Sequence, residues 1–212
     1  MEIIKELKLK GHYWREEIIE NRYKLLIAFI LLVIASFLDY ISGSYTSDFK
    51  GPHVADVILD HVGPINLGFI FVWGYIAVIA VLFIYPILFK PNKIHLAVIM
   101  FSLLVFVRAI FVCLTHLTTP STAIHTNFPW IFSYFRFQND LFFSGHTSIP
   151  FLGFLIFKNK IIKYFMLVFS IIMAATVLLM HQHYSIDVFA AFFITYGVFK
   201  IGEKIFKEKL PA

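Results

Sequence analysis

The sequence predicts an all-α integral membrane protein with six transmembrane helices and with both its N and C termini in the cytoplasm. Of its 212 residues, 59% are apolar and 15% are charged, and the mean hydropathy is +0.81. A soluble domain of this size needs a larger polar surface to cover its core. The basic residues are also distributed as they are in membrane proteins, between long apolar runs. Composition therefore predicts the fold class before any motif is considered.

Each predicted helix corresponds to one apolar run. A helix that crosses the hydrocarbon core needs about 20 mostly apolar residues. Six runs meet this requirement, at 24–42, 66–88, 95–117, 141–157, 160–181 and 184–204. With no internal repeat or long linker, they predict one membrane domain over residues 24–205.

The predicted domain has a tail at each end. Residues 1–23 are rich in Glu and Lys, which argues against a cleavable signal peptide. This segment is equally consistent with an interfacial amphipathic helix and with a solvated cap. Residues 206–212 form a basic tail, predicted to be cytoplasmic.

The distribution of Lys and Arg predicts the orientation. Fifteen of the 18 basic residues lie before the first span, between the second and third, between the fourth and fifth, or after the last. Of the other three, Lys50 and Arg136 lie on the opposite side and Arg108 lies within a span. The positive-inside rule therefore places both termini in the cytoplasm. Because the basic residues do not form one patch, nucleic acid is not expected as a partner.

Two polar segments lie on the predicted exoplasmic side. We call residues 139–147 the His146 segment and residues 181–187 the His183 segment. Topology brings them to the same membrane face, although 37 positions separate the two histidines. Because ionisable residues at membrane depth are costly, they indicate a functional site by default.

The residue types in these segments suit phosphoryl transfer. His183 and Asp187 are four residues apart, so on a helix they would share a face. A carboxylate on one imidazole nitrogen fixes the tautomer and leaves the other nitrogen free as a nucleophile. His146 can then act as the general acid. Ser144 and Gly145 lie where the N–H groups at a helix start can hold an anion. The pattern predicts a phosphohistidine mechanism.

These residues also have plainer interpretations. A His-x-x-x-Asp pair on a helix is more often structural than catalytic. Arg108, deep in its span, either binds a phosphate or pairs with a carboxylate such as Asp39. A zinc site is a further alternative. Its ligands would be His146, His181, His183 and Asp187.

The motifs carry a resemblance to known families. Ser144-Gly145-His146 followed by His183-x-x-x-Asp187 resembles the lipid phosphate phosphatase and phosphotransferase superfamily. More closely, Asp140-Leu-Phe-Phe-Ser-Gly-His146-Thr and His183-Tyr-Ser-Ile-Asp187-Val resemble the two signature segments of the sphingomyelin synthase family. The stretches 52–60 and 108–120 are similar to that family's first-loop and third-span motifs.

The resemblance implies a reaction, a topology and a set of roles. His183 attacks the phosphorus of a phospholipid donor, assisted by Asp187. His146, supported by Asp140, protonates the departing diacylglycerol and then deprotonates a lipid hydroxyl acceptor, typically ceramide. The family has six spans and an exoplasmic site, and it needs no metal or other cofactor. With these roles we predict substrate contacts at four residues, namely Ser144, Gly145, Arg108 and Tyr184.

Departures from the superfamily narrow the prediction. The phosphatase branch binds a dianionic phosphate with a Lys-x6-Arg-Pro segment and a Ser-Arg placed six residues before the second His. Here Val177 occupies that position, and no Lys-x6-Arg-Pro occurs. A phosphodiester carries one negative charge and needs fewer cations, so we expect a headgroup phosphotransferase. The alternatives are a lipid phosphohydrolase, phospholipase C-like or a phosphatase, and a non-enzymatic transporter or zinc-binding protein.

Overall fold

The fold is all-helical, as predicted, in a computed structural model that describes residues 11, 13–49, 51–130, 137 and 139–206. A π turn at Ile70–Gly74 leads into the second helix, and a 3-10 turn at Pro91–Lys93 leads into the third. Six main helices follow one another in the described part of the chain: α1 Arg22–Ser47, α2 Tyr75–Phe89, α3 Ile94–Leu114, α4 Gly145–Ile156, α5 Lys160–Leu179 and α6 Ser185–Phe206.

Five of these helical segments are long and apolar enough to cross a membrane, within the residues described. They are α1, the π turn with α2, the 3-10 turn with α3, α5 and α6. The fourth predicted span, at 141–157, is not confirmed as a sixth membrane-crossing helix, because α4 has only 12 residues. At 1.5 Å per residue such a helix is about 18 Å long, against a hydrocarbon core of about 30 Å.

The start of α4 explains this difference. From the sequence, residues 141–144 are predicted to form the first turn of an apolar helix. In the structure, however, Phe142 and Phe143 have φ values of 77° and 41°. Left-handed backbone at two successive residues cannot continue a right-handed helix. Leu141 and Phe143 are almost fully buried. Irregular backbone at membrane depth is tolerated where protein surrounds it.

The helices pack into two neighbouring groups. α1 contacts mainly α3, whereas α4 packs against α5 and α6. The core between them is built from apolar side chains of α2, α3, α4, α5 and α6, including Leu82, Met100, Leu152 and Met166. α6 approaches α3 closely at Gly202, where a Cβ would lie 2.5 Å from the Met100 sulfur. A side chain at this glycine would therefore displace the Met100 side chain.

The loops predicted to face the exoplasmic side do meet at one end of the bundle. The backbone N–H of Ile65 donates to Leu179, and that of Ile124 donates to Met180, over 2.7 and 3.0 Å. The Asn139 amide donates to the Phe49 carbonyl over 2.9 Å. We call this the site end of the bundle. Its placement on the exoplasmic side of a membrane stays a prediction.

The two predicted tails are described only in part. Residues 1–10 and 12 lie outside the described residues, as do residues 207–212. Residues 13–20 are helical, and the Trp14 indole donates to the Ile87 carbonyl over 2.8 Å. This bond ties the tail to the C-terminal turn of α2, at the end of the bundle opposite the site end.

Candidate active site

A cavity of about 400 Å³ lies at the site end, between α1, α2, α3 and α4. Both predicted catalytic histidines line it. Its polar wall is formed by Asp39, Arg108, Thr119, His125, Asp140, Gly145, His146, Gln182 and His183. Toward the middle of the bundle the wall becomes apolar, with Ile79, Phe101, Leu104, Val105 and Ile149. The cavity therefore joins a charged end to an apolar end, as a lipid substrate requires.

His183 has the geometry of an oriented nucleophile. Its Nδ1 lies 3.3 Å from the Asp187 Oδ2, and the Tyr184 N–H donates to the same oxygen over 3.1 Å. Asp187 is fully buried. Since Nδ1 faces the carboxylate, Nε2 is the nitrogen available to a substrate, and no described residue bonds to it. α6 begins only at Ser185, so the pair spans the helix start and does not lie along one helix face.

Asp56, from the loop after α1, holds the start of α6 in place. Its Oδ2 accepts hydrogen bonds from the backbone N–H and the hydroxyl of Ser185, over 2.7 and 2.8 Å. Its Oδ1 accepts from the N–H groups of Ile58 and Leu59. Burial acts to raise the pKa of the Asp56 carboxyl, but the N–H donors of Leu59 and Ser185 outweigh it, and its pKa lies below the ordinary value. One carboxylate thus caps α6 and orders the loop.

The His146 imidazole lies among aromatic rings. The ring centroids of Phe71 and Tyr75 lie 4.1 and 4.0 Å from its centroid, at interplanar angles of 16° and 26°. Its Nε2 is buried and has no hydrogen-bond partner within the described part of the chain. His146 lines the cavity, and its buried Nε2 is a proton donor or acceptor without a partner in the described residues.

The N terminus of α4 offers the predicted anion site in part. The Ser144 N–H donates to the Asp187 carbonyl over 3.1 Å, so it is not available to a ligand. The Ser144 side chain is fully buried and does not line the cavity. The N–H groups of Gly145, His146 and Thr147 belong to the first helical turn, which leaves them without partners inside the helix. The N–H groups that remain available to an anion therefore begin at Gly145, one residue later than predicted.

Arg108 joins two carboxylates at the cavity wall. Its Nη2 lies 2.8 Å from the Asp140 Oδ2, and its Nη1 lies 3.5 Å from the Asp39 Oδ1. The predicted pairing with Asp39 is present, and Asp140 is a second partner. Asp140 makes no hydrogen bond to His146 here, so its predicted support of that histidine stays a prediction. The Arg108 Nε is buried without a partner among the described residues.

Tyr184 connects loops and does not line the cavity. It is 3% exposed, its hydroxyl donates to the Thr118 carbonyl over 2.9 Å, and it accepts from the Val54 N–H over 3.2 Å. In this geometry Tyr184 fixes the first and second outward loops beside the His183 segment. Its predicted contact with substrate stays a prediction.

Backbone strain is concentrated around the two histidine segments. All the non-glycine residues with positive φ in the described part of the chain lie there: Asn139, Phe142, Phe143 and His181. Such conformations cost about 1–3 kcal/mol each and persist where the surroundings impose them. In both segments, tertiary packing therefore holds the backbone in conformations that these residues do not favour locally.

The zinc alternative is disfavoured by the contacts of His181. Its Nδ1 lies 2.6 Å from the Thr122 hydroxyl and its Nε2 lies 2.8 Å from the Val62 carbonyl. Both ring nitrogens are therefore used in ordering loops. The described residues contain no group of three or more His, Cys, Asp or Glu side chains placed to hold a metal ion.

Sequence reasoning missed several residues of this site. Phe71 and Tyr75 lie in an apolar run with nothing to distinguish them from lipid-facing residues. His125 and Gln182 line the cavity from loops whose folding the spacing does not reveal. Asp56 lay in a stretch already noted for its resemblance, and that similarity was the one available signal.

Comparison with known proteins gives one match, and it covers the segment that carries the two histidines. No curated protein and no solved structure matches the chain. One family model, described as PAP2 superfamily C-terminal, matches residues 139–204, just under a third of the chain. The matched segment contains His146, His183 and Asp187. This match supports the lipid phosphate phosphatase superfamily, and with it chemistry on phosphate esters, for the part of the chain that forms the site.

Proposed function

We propose that this protein is a lipid headgroup phosphotransferase that moves a phospho-alcohol from a phospholipid to a lipid hydroxyl, such as that of ceramide, on the exoplasmic side of a membrane. The observation that carries the proposal is the cavity itself, which contains an oriented His183 and an unpaired His146 beside a single arginine. The resemblance of the sequence motifs to the sphingomyelin synthase family agrees with this assignment.

The charges around the cavity favour a phosphodiester over a phosphate monoester. Arg108 is the one Lys or Arg among the described lining residues, and Asp39 and Asp140 lie against it. A dianionic monoester would meet two carboxylates and one cation. A diester brings one negative charge, and a donor with a cationic headgroup also brings a group that the carboxylates attract. Aromatic faces at Phe128 and Phe137 suit an alkylammonium group.

The reaction then proceeds in two balanced steps. In the first, the Nε2 lone pair of His183 attacks phosphorus, the bond to the glycerol oxygen breaks, and protonated His146 gives its proton to the departing diacylglycerol. In the second, the acceptor hydroxyl attacks the phosphohistidine, its proton goes to His146, and the P–N bond breaks. Asp187 stabilises the positive charge that develops on the His183 imidazole.

Product analysis tests the proposal. Purified protein in liposomes is given labelled phosphatidylcholine or phosphatidylethanolamine, with and without ceramide, in the presence of a chelator. His183→Ala serves as the inactive control. A new headgroup-bearing sphingolipid that requires ceramide would support the transferase. Diacylglycerol released equally without ceramide would assign a phosphohydrolase that uses water as acceptor. No turnover of any phospholipid would refute both.

A further inference from the structure

We infer that Phe71, within the π turn Ile70–Gly74, and Tyr75, the first residue of α2 after that turn, are positioning residues that clamp the His146 imidazole in one plane. The kinetic consequence rests on the proposed function, whereas the clamp itself can be measured without turnover.

The two rings lie on opposite faces of the imidazole. Both are stacked on it, at 4.1 and 4.0 Å between centroids. Two aromatic rings that both stack this closely on a third cannot share one face without overlapping. Phe128 closes a further side, with its centroid 6.3 Å away and its ring inclined by 59°. The imidazole therefore cannot rotate about its Cβ–Cγ bond unless a neighbouring ring moves.

Packing replaces the usual hydrogen bond at this histidine. An acid–base imidazole is ordinarily oriented by a carboxylate or carbonyl on one nitrogen, as Asp187 does for His183. For His146 no such bond exists among the described residues, and its Nε2 is buried without a partner. The rings fix the plane of the imidazole and leave its Nε2 without a partner, so this nitrogen can both give and take a proton.

The π turn supplies the spacing. Residues four apart on a helix are neighbours, with Cβ atoms about 5–6 Å apart, too close for a third ring to stack between them without splaying. A π turn holds more residues per turn than an α-helix, so the helix is locally wider, and such turns occur frequently at functional sites. Gly74 ends the turn against α5, where a Cβ would lie 3.4 Å from the Met173 sulfur. The π turn therefore lies close to α5.

A clamp of this kind should affect the chemical step more than binding. His146 must align with the leaving oxygen in one step and with the acceptor hydroxyl in the next. Misplacement of a reacting group by about 1 Å can cost on the order of 10²-fold in rate. We therefore expect Phe71→Leu to lower kcat roughly 10- to 100-fold with KM nearly unchanged, and to shift the limb of the kcat–pH profile that reports His146.

Matched variants separate positioning from packing. Phe71→Tyr keeps a ring and should retain kcat, as should Tyr75→Phe. Phe69→Leu is the control, because Phe69 lies beside the same turn and is 77% exposed. Melting temperatures show whether each variant is folded. If Phe71→Leu is folded and keeps kcat, KM and the pH profile of the unmodified protein, the clamp has no catalytic role.

Nuclear magnetic resonance of the imidazole tests the clamp without turnover. In a His183→Ala background with labelled histidine, His146 protons between two ring faces should show upfield ring-current shifts. The shifts should persist in Phe71→Tyr and diminish in Phe71→Leu. Unshifted His146 protons in the parent protein would overturn the inference. If these upfield shifts are present but the protein with His183 intact turns over no phospholipid, the clamp stands and the proposed function is rejected.

Discussion

The backbone N–H of Ser144 donates to the carbonyl oxygen of Asp187 over 3.1 Å, so the two histidine segments are bonded to each other directly. Ser144 immediately precedes α4, which carries His146, and Asp187 holds His183 through its side chain. One backbone bond thus fixes the N terminus of α4 relative to the first turn of α6. The relative placement of the two histidines depends on main-chain atoms, which side-chain substitution leaves intact.

Replacing Asp187 with asparagine should remove activity and leave the fold. The asparagine side chain retains an oxygen that can accept from the Tyr184 N–H, but its neutral amide cannot stabilise the charge that develops on His183. We expect kcat to fall on the order of 10²–10⁴-fold, as in hydrolase triads. Phospholipid turnover measures the loss, and circular dichroism checks the helices. An Asp187→Asn variant within threefold of the parent would remove Asp187 from the mechanism.

The two histidines should behave as one unit. His183→Ala leaves no nucleophile, and His146→Ala leaves no acid for the departing oxygen, so each should reduce transfer to a small residual rate. The double variant should be no slower than either single variant, because groups that act together are strongly non-additive. Transfer rates of all three proteins test this. Losses that multiply in the double variant would show that the histidines act independently.

The sequence identified the polar residues that meet at the site better than it identified their surroundings. The two segments contain polar residues that are costly in an apolar chain, so His146, His183 and Asp187 were recognisable from their types and spacing. The aromatic rings around His146 were not, because an apolar run gives no signal for which Phe turns inward. The length of α4 was overestimated because left-handed backbone at Phe142 and Phe143 depends on tertiary packing.

Pairing of charges was predicted less completely. Because Arg108 lies deep in its span, its charge was expected to need an anionic partner, either a carboxylate or a phosphate. Asp39, in the first span, was named as such a carboxylate. Asp140 was assigned to His146 through family resemblance, yet its carboxylate lies 2.8 Å from Arg108. Family resemblance suggested a role for Asp140, but the side chain that Asp140 contacts depends on the conformation of the long loop before α4.

Removing the Asp56 carboxylate should destabilise the protein in a pH-dependent way. Asp56→Ala deletes the cap of α6 and should cost about 0.5–2 kcal/mol of stability. Because the pKa of Asp56 is lowered on folding, its contribution is present above the unfolded value of about 3.9 and is lost as pH falls through the lower folded value. The difference in melting temperature from the parent should therefore be constant at about pH 6–8 and shrink below about pH 4.

Asp48→Ala is the control for this measurement, because Asp48 is exposed and accepts no hydrogen bond through its side chain among the described residues. It should melt like the parent across the range. A difference for Asp56→Ala that grows as pH falls would contradict the assigned sign.

Adding one methyl group at Gly145 should impair substrate binding without unfolding the helix. A Cβ there would lie 3.6 Å from both the Arg108 Nε and the Tyr75 hydroxyl, which is ordinary contact. Gly145→Ala should therefore keep its melting temperature, but the methyl group occupies space beside the N–H groups of α4. We expect a rise in KM of about tenfold. Gly197→Ala, where a Cβ meets nothing within 4 Å, is the control and should bind like the parent.

Substitutions at Arg108 should separate its role in binding from its role in folding. Arg108→Gln leaves Asp39 and Asp140 facing each other without a cation, and should cost on the order of 3 kcal/mol of stability. Adding Asp39→Asn removes one of the two charges and should restore much of that stability. It should not restore turnover, because the donor for the substrate phosphate is still missing. Melting temperatures and transfer rates of both variants provide the comparison. If the double variant regains activity together with stability, Arg108 serves the fold alone.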